Sequence, residues 1–537
     1  MNSVLFRCDA SLLIGSGHVI RCRTLARELA RGGIDVVFVC RRQPGDLIDL
    51  LAQEFRVLIL PEQSLWPCGE LNGRALYGSW LGCSQELDAD QCSSVIAASG
   101  LQSIAWMVVD HYGIDSVWET QLLEKLGSGF SFKLLAIDDL ADRPHQADLL
   151  LDQNFVGAEP EQRYTGLLPE QCRTFLGPHY ALLGSEYARL HALVPDRTEL
   201  QRVLVFFGGV DLDNLTGRAL QALMTPEFAH VAVDVVLGHQ SPHREVVAEM
   251  VTRRPLCNLH DSLPSLAGLI ARADLAIGAC GSTAWERACL GLPTLVVALA
   301  ANQLPFAEAL DEAGYLSFLG DAAKVDVGQL VDALKARLAG QWPPERSIEL
   351  TDGFGASRLA LAMLGSRGPI SLRRVDSRDE ALLLKWANDP EVRANSFSHD
   401  SISPADHHKW FHKGLGDPNR LLLIAMSSDG CPIGQIRFDR TLATGPSGAD
   451  EALIGLSLEQ CARGCGLAVP LVSLGLQAME QQWGSNTHAV AEVLSSNAAS
   501  NACFERSGFV LDAVPTTVPS RDMKRWRWCS KGSSNVA

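Results

Sequence analysis

The sequence predicts an α/β protein in three parts: two doubly wound, Rossmann-like domains on parallel sheets, followed by a smaller α+β domain. Three observations predict it. The chain has 537 residues, three to four times a typical domain of about 150. Short β-branched runs alternate with amphipathic helical patterns, the mark of βαβ units, and this series stops and restarts once near residue 200. After Pro369 the order changes to helices, a hairpin and further strands.

Strands are expected first at residues 4–7, 36–40, 57–60, 107–110 and 134–137. Residues 152–196, rich in Gln, Pro and Gly, read as a crossover. The second series has strands at 203–207, 231–237, 275–277 and 294–299, with helices at 219–224, 282–290 and 303–313. The first domain is therefore placed at 1–155 and the second, with the crossover, at 156–366. Two such domains facing each other put a ligand cleft at the carboxyl ends of both sets of strands. A helical run at 356–364 ends in Gly365, Ser366, Arg367, Gly368 and Pro369, the strongest boundary signal in the chain. The third domain, 370–530, opens with a strand from Ile370 and helices near 381–387 and 405–415. A hairpin follows, 421–426 and 433–438 around Asp429-Gly430. A strand at 452–458, a helix at 468–482 and strands at 489–494 and 509–511 complete it.

Apolar residues make up 47% of the chain and charged residues 20%, enough apolar material for several cores and too much for wholesale disorder. The formal charge is −16, from 46 basic and 62 acidic residues. Residues 371–537 hold 17 basic and 18 acidic residues, so −15 of that charge lies on residues 1–370. Such a surface repels polyphosphate backbones and anionic lipid, which argues against nucleic acid and membrane as partners. An anionic ligand must instead be held locally, by backbone N–H groups and helix ends. The 15 cysteines are scattered without a CxxC pair, against a disulfide framework or a four-ligand zinc site. Residues 1–9 enter a strand-like run with no basic and apolar leader, and no apolar stretch nears the roughly 20 residues of a membrane span. The expected compartment is the cytoplasm.

The sharpest local feature is Gly15-Ser16-Gly17-His18, after the first strand and at the start of a helix. The glycines allow close ligand approach, the helix start supplies free N–H groups, and His18 stands at the mouth of the cleft. The turn is not a dinucleotide fingerprint, because position 20 is Ile. A histidine that merely bonds the helix start is the plain alternative. In the second domain Gly281-Ser282-Thr283-Ala284-Trp285-Glu286 and Gly208-Gly209 follow strands. Small residues there suit a diphosphate, and Glu286 suits two ribose hydroxyls; caps and packing glycines are the plain alternative. Asp211-Leu212-Asp213 has the form of a metal-binding DxD, but two acids opening a helix read as caps, and no metal is expected.

Several motifs then occur in order: Phe6-Arg7-Cys8-Asp9-Ala10-Ser11 through Gly15 to Cys22, Asp110-His111-Tyr112, Asp138-Asp139, Asp152-Gln153-Asn154, the stretch from Gly177 to Leu183, and Ala301-Asn302-Gln303. Over residues 1–365 this resembles the UDP-sugar hydrolase family of pseudaminic acid biosynthesis, which is similar in turn to the peptidoglycan glycosyltransferase of the GT-B fold. The resemblance implies hydrolysis of UDP-2,4-diacetamido-2,4,6-trideoxy-β-L-altropyranose to the free sugar and UDP, with His18 as general base and inversion at the anomeric carbon. It further implies that Gly17, Tyr112, Asn154, Asn302 and Gln303, with Gly208, Gly209, Gly281, Ser282, Thr283 and Glu286, bind the UDP-sugar. The residue types suit that chemistry. UDP leaves without a strong acid, and an imidazole with a solution pKa of about 6.5 can activate water at neutral pH.

In the third domain Arg463-Gly464-Cys465-Gly466-Leu467-Ala468 follows a strand and precedes a long helix, so its N–H groups form a nest for a pyrophosphate. With Asn497 and Glu505-Arg506-Ser507-Gly508-Phe509 downstream, residues 370–530 resemble the GNAT acetyltransferase superfamily. The resemblance implies acetyl-CoA as cosubstrate, held by Leu456, Leu458, residues 463–468 and Asn497. The run from Trp386 to Arg393 further resembles acetyltransferases acting on UDP-4-amino sugars. One departure stands out: where many members place a tyrosine that protonates the CoA thiolate, this chain has Phe504, with Cys503 beside it. His407, His408 and His412 read as part of an amphipathic helix with Trp410 and Phe411, not as a metal site.

The expected protein is a bifunctional enzyme. It acetylates the 4-amine of a UDP-4-amino-4,6-dideoxy-altrosamine and then removes UDP from the product. The alternatives are a GT-B UDP-sugar glycosyltransferase, and an acetyltransferase module that is non-catalytic or takes another substrate.

Overall fold

The computed structural model describes residues 3–529 apart from 63–73, 128, 156, 158–159, 196, 262, 343–346, 367, 443–449 and 513–521. Arg367 of the expected boundary and position 530, the expected end of the third domain, therefore lie outside the described residues. The chain divides into two compact units, Met1–Ala356 and Ser357–Ala537.

The first unit holds two parallel sheets. Strands β1 (Ser3–Cys8), β2 (Asp35–Arg41), β3 (Arg56–Leu60), β4 (Ile104–Asp110), β5 (Lys133–Ile137), β6 (Leu149–Asp152) and β7 (Arg173–Leu176) pair in the order β3-β2-β1-β4-β5-β6-β7. Every residue of β1 is buried, as expected for a central parallel strand covered on both faces. The helix Gly17–Arg31 turns His18, Val19, Arg21, Cys22, Leu25, Ala26 and Leu29 inward, a stripe at helical spacing. Ser84 caps the helix Gln85–Ala98 and Asp115 caps Ser116–Leu126, each through a side-chain oxygen on a free N–H. Beneath β1 lies a buried ion cluster. Arg7 and Arg41 both bond Asp88, which also accepts from the Trp118 indole at 2.9 Å.

The second sheet repeats the plan with β8 (Arg202–Phe206), β9 (Ala232–Val236), β10 (Cys257–His260), β11 (Leu275–Ala279), β12 (Thr294–Ala298) and β13 (Ser317–Asp321), ordered β10-β9-β8-β11-β12-β13. Both sheets thus run third-second-first-fourth-fifth-sixth from their own first strand. The stretch expected as a plain crossover serves both sheets. It gives β7 to the first, so that sheet extends past residue 155, and it buries Ala181, Leu183 and Tyr187 in the core of the second.

The second unit has a mixed sheet of β14 (Ser371–Arg374), β15 (Arg420–Met426), β16 (Pro432–Thr441), β17 (Asp450–Leu458), β18 (Thr487–Leu494), β19 (Val510–Leu511) and β20 (Met523–Trp528). Its order is β14-β15-β16-β17-β18-β20-β19, antiparallel except for β17 and β18. The hairpin of β15 and β16 is the one the Asp429-Gly430 turn predicts, whereas the sequence does not predict β6, β7, β10, β13 or β20. The unit begins at Ser357, so most of the helix Gly355–Leu364, expected to close the second lobe, belongs here. A direct tie is the Cys465 thiol, which meets the Leu361 carbonyl at 3.6 Å.

Candidate active sites

In the first sheet β2 and β4 lie on opposite sides of β1, so the loops leaving β1 and β4 part at a switch point and leave a crevice. His18 stands there in the first turn of its helix, 6% exposed. Its Nδ1 is 2.6 Å from Oδ1 of Asp110, the last residue of β4. Arg21, one turn further on, grips the same carboxylate with Nε at 2.6 Å and Nη2 at 2.7 Å, and reaches Asp139 through Nη1 at 2.6 Å. Asp139 also accepts from the Tyr112 hydroxyl at 2.6 Å and from Asn154 Nδ2 at 3.0 Å. The Tyr112 ring meets His18 edge-on, with centroids 4.5 Å apart. His18, Tyr112 and Asn154 are thus joined through two carboxylates, with Gly17 beside them in sequence.

Burial opposes the charge on Asp110, but Arg21 and then His18 outweigh it and hold the carboxyl below its usual range. It therefore stays ionised and accepts a hydrogen bond from the Nδ1–H of His18. That fixes the tautomer in which Nε2 carries a lone pair, the form a general base needs. Among the described residues Nε2 makes no hydrogen bond. Neighbouring His111 is different: burial and Arg7 push its pKa well down, and its Nδ1 accepts from the Gly113 amide at 3.0 Å. It is a neutral structural histidine.

In the second lobe Gly208 and Gly209 follow β8, Gly281, Ser282 and Thr283 follow its neighbour β11, and Asn302 and Gln303 follow β12. All seven residues gather at the carboxyl ends of adjacent strands. A Cβ placed on Gly208, Gly209 or Gly281 would meet no atom within 4 Å, so each faces open space. Glu286 has a buried Oε2 without a hydrogen-bond partner among the described residues. Burial raises its carboxyl to about 7, against a lowering contribution from Tyr187. The Gln303 side chain accepts from the Leu299 amide at 3.0 Å and so closes its own turn. Asp211 accepts from the Leu215 and Thr216 amides at 3.0 and 2.9 Å, which makes it a helix cap.

In the second unit β17 pairs with β18 only from Asp450 opposite Thr487 to Leu453 opposite Val490. Both strands continue, so they part, and Leu456 and Leu458 lie on the parted stretch of β17. The loop 463–467 then leads into the helix Ala468–Trp483. Gly464 and Gly466 have φ of +75° and +73°, a conformation that favours glycine, and a Cβ on either would enter open space. Arg463 is committed inside the protein. It donates to the Leu458 carbonyl at 3.1 Å and pairs with Asp389 at 2.8 Å and Glu391 at 2.7 Å. Asn497 caps the helix Ala498–Arg506. Phe504 is buried against Phe509 and carries no proton to give, and burial pushes the neighbouring Cys503 thiol up. His408 and His412 both contact Glu380, at 2.9 and 3.2 Å, and tie their helix, Pro404–Leu415, to the helix Glu380–Ala387.

Residues 370–510 match the family model described as acetyltransferase (GNAT) domain. The second unit carries a GNAT domain. Acetyl-CoA is the cosubstrate that goes with it, and the parted strands and glycine loop fit that group. Two relatives extend the likeness to the first unit. The chain is 28% identical over 229 residues to the UDP-2,4-diacetamido-2,4,6-trideoxy-beta-L-altropyranose hydrolase of Campylobacter jejuni, covering 43% of this chain and 68% of that protein. It is 21% identical over 519 residues to an uncharacterized protein of Methanocaldococcus jannaschii, covering 93% and 95%. Among solved structures, Acinetobacter baumannii MurG aligns with 67% of this chain and 98% of its own, at 13% identity and a TM-score of 0.44. The chain is a fusion of hydrolase-like Rossmann lobes and a GNAT domain.

The sequence reading missed Arg21, Asp110 and Asp139 as working residues. Arg21 lies one helical turn from His18, a spacing that flags it as a neighbour. Asp110 opens the Asp110-His111-Tyr112 motif and Asp139 closes Asp138-Asp139, but nothing local points them at His18.

Proposed function

We propose that the chain catalyses two consecutive steps on one sugar nucleotide. The GNAT domain acetylates the 4-amine of a UDP-4-amino-4,6-dideoxy-altrosamine. The Rossmann lobes then hydrolyse UDP-2,4-diacetamido-2,4,6-trideoxy-β-L-altropyranose to the free sugar and UDP, with inversion. The observation that carries the reading is His18, held by an ionised Asp110 at a sheet switch point with Nε2 unengaged.

In the hydrolytic step Nε2 takes a proton from water as the water oxygen attacks the anomeric carbon. The bond to the UDP oxygen breaks on the opposite face, and the electron pair leaves with UDP. Asp110 stabilises the imidazolium formed, in the manner of the carboxylate of a catalytic triad. Asp139 holds the Tyr112 proton, so the phenol oxygen is left to accept from a sugar hydroxyl. Gly208, Gly209, Gly281, Ser282 and Thr283 offer backbone N–H groups to the diphosphate, and Glu286 is assigned to the ribose. This local arrangement suits a lobe pair that carries net negative charge.

Acetyl-CoA supplies a thioester to the second step. Gly464, Cys465 and Gly466 cradle its pyrophosphate and the parted edge of β17 receives its pantetheine arm. With Phe504 in place of a phenol, the thiolate takes its proton from water. Fusion of the two activities raises the local concentration of the shared intermediate. The working compartment is the cytoplasm, the partners are small molecules, and no metal is required. Among the described residues no helix is long and apolar enough to cross a membrane.

The deciding experiment incubates the full chain with the UDP-diacetamido sugar and no acceptor. Stoichiometric UDP is expected. Release that requires an added acceptor would make the lobes a glycosyltransferase, and no release at all would defeat both readings of that site. CoA formation from acetyl-CoA and the 4-amino UDP-sugar tests the other step.

A further inference from the structure

The GNAT domain carries a cluster of positive charge that neither the cosubstrate loop nor the sheet core uses. Along β16, Ile436 and Phe438 are buried in the core and Arg437 points to the opposite face. Arg437 lies over Gly455 of β17, where a Cβ would come within 3.0 Å of its Nε. Gly455 is two residues past the last pairing of β17 with β18 and one before Leu456. Arg437 therefore sits beside the parted strands where acetyl transfer is expected.

Its surroundings leave the charge unspent. The Arg437 and Arg420 guanidiniums flank one indole, 5.5 and 5.4 Å from the Trp410 ring centre. Asp439 is taken by Arg420 at 2.5 Å and stands 3.7 Å from Arg437, beyond hydrogen-bond length. Among the described residues the Arg437 guanidinium makes no hydrogen bond, and its side chain is 40% exposed. Arg393 adds a third cation whose partners are the Ser396 hydroxyl and the carbonyls of Ser398 and Asp400, none of them a carboxylate. Burial, then the charges of Arg420 and Arg393, depress the Arg437 pKa. Arg420 and Arg437 thus share one carboxylate, and Arg393 is near enough for its charge to be felt at Arg437. The short helix Pro390–Ala394 that bears Arg393 is also tied to the glycine loop through Asp389, Glu391 and Arg463.

We propose that Arg437, flanked by Arg393 and Arg420, is the subsite that grips the diphosphate of the acetyl acceptor and so restricts the GNAT domain to nucleotide-linked amines. The inference rests on the reading of the acceptor as a sugar nucleotide. A planar guanidinium with free N–H donors matches phosphate oxygens in pairs, which an ammonium cannot do.

The test uses the full chain and two acceptors, the UDP-linked 4-amino sugar and the same sugar without its nucleotide. Arg437→Gln is expected to raise KM for the UDP-linked acceptor roughly 10- to 100-fold, the worth of a charge-assisted hydrogen-bond pair. kcat, the KM for acetyl-CoA and turnover of the bare sugar should hold. Arg437→Lys should recover only part of the loss. UDP added alone should inhibit acetyl transfer competitively against the acceptor, and less so in Arg437→Gln. An unchanged acceptor KM in Arg437→Gln would overturn the subsite alone, as would equal losses on both acceptors. A wild-type chain that acetylates no UDP-linked amine would overturn the functional reading and the subsite with it.

Discussion

Replacing Asp110 by Asn tests whether His18 works as a base, because it keeps the shape of the side chain and removes only its charge. In the native site the carboxylate receives two bonds from Arg21 and one from His18 at 2.6 to 2.7 Å. Oδ1 faces both His18 Nδ1 and Arg21 Nη2, and Oδ2 faces Arg21 Nε; an amide has one oxygen and an NH2 group, so it can no longer accept at both positions. With its oxygen kept on Arg21 Nε, the NH2 meets His18 Nδ1 and drives the imidazole into the tautomer with the proton on Nε2. That form cannot deprotonate water. General-base catalysis is worth about 100- to 10,000-fold, so kcat for UDP release should fall by that factor, about 3 to 5.5 kcal/mol of barrier. KM should move only a few-fold, since Asp110 is buried beneath His18. Arg21 keeps its bond to Asp139, so the stability lost should stay near 1–3 kcal/mol, the cost of one unsatisfied buried group. The assay is UDP release under saturation, with acetyl transfer by the same preparation as a check on folding. A kcat within about threefold of wild type would refute the base assignment.

Three further outcomes follow from other parts of the molecule. His18→Ala should abolish UDP release and leave acetyl transfer intact; loss of both, read by separate assays on one sample, would mean the two halves depend on each other. Gly466→Val places a branched side chain at φ +73° where the loop faces open space, and should raise KM for acetyl-CoA at least about tenfold without touching UDP release. Glu286, raised to about 7 by burial, holds more protons folded than unfolded between its free value of about 4.3 and 7. Its contribution to stability is therefore complete at low pH and is lost as pH rises through 7. In Glu286→Gln, denaturant titrations from pH 4.5 to 8 should show that decline reduced by up to about 3 kcal/mol. A slope identical to wild type would contradict the shift.

The apolar runs within β1, β4, β8 and β11 made the parallel sheets legible, because a strand buried on both faces carries few polar positions to blur it. β7 was hidden by its brevity and by Arg173 at its start. β20 was hidden for a different reason: its basic residues alternate with tryptophans and look like a solvated tail. In the fold Arg525 and Arg527 are answered by Glu451, Glu492 and Asp512 from neighbouring strands, a neutralisation invisible until those strands assemble. The site divides the same way. The turn before His18 and the glycine loop before Ala468 are local backbone devices and can be read in a window of a few residues. The carboxylates that complete the first site come from 92 and 118 residues away, and the setting of Arg437 depends on the sheet placing a single acid, Asp439, beside both Arg420 and Arg437.

The central place of β1 has a consequence for synthesis. Its six buried residues need β2 on one side and β4 on the other, yet β4 does not begin until Ile104. At roughly 5–20 residues per second on a ribosome, a nascent chain waits about 5–20 s with one edge of this fully buried strand unpaired. The Arg7 anchor, Asp88, arrives only shortly before that partner. β1 is thus made well before the partner that shields its second edge. A nascent or truncated product ending before Ile104 would present that bare edge to every other copy in the cell.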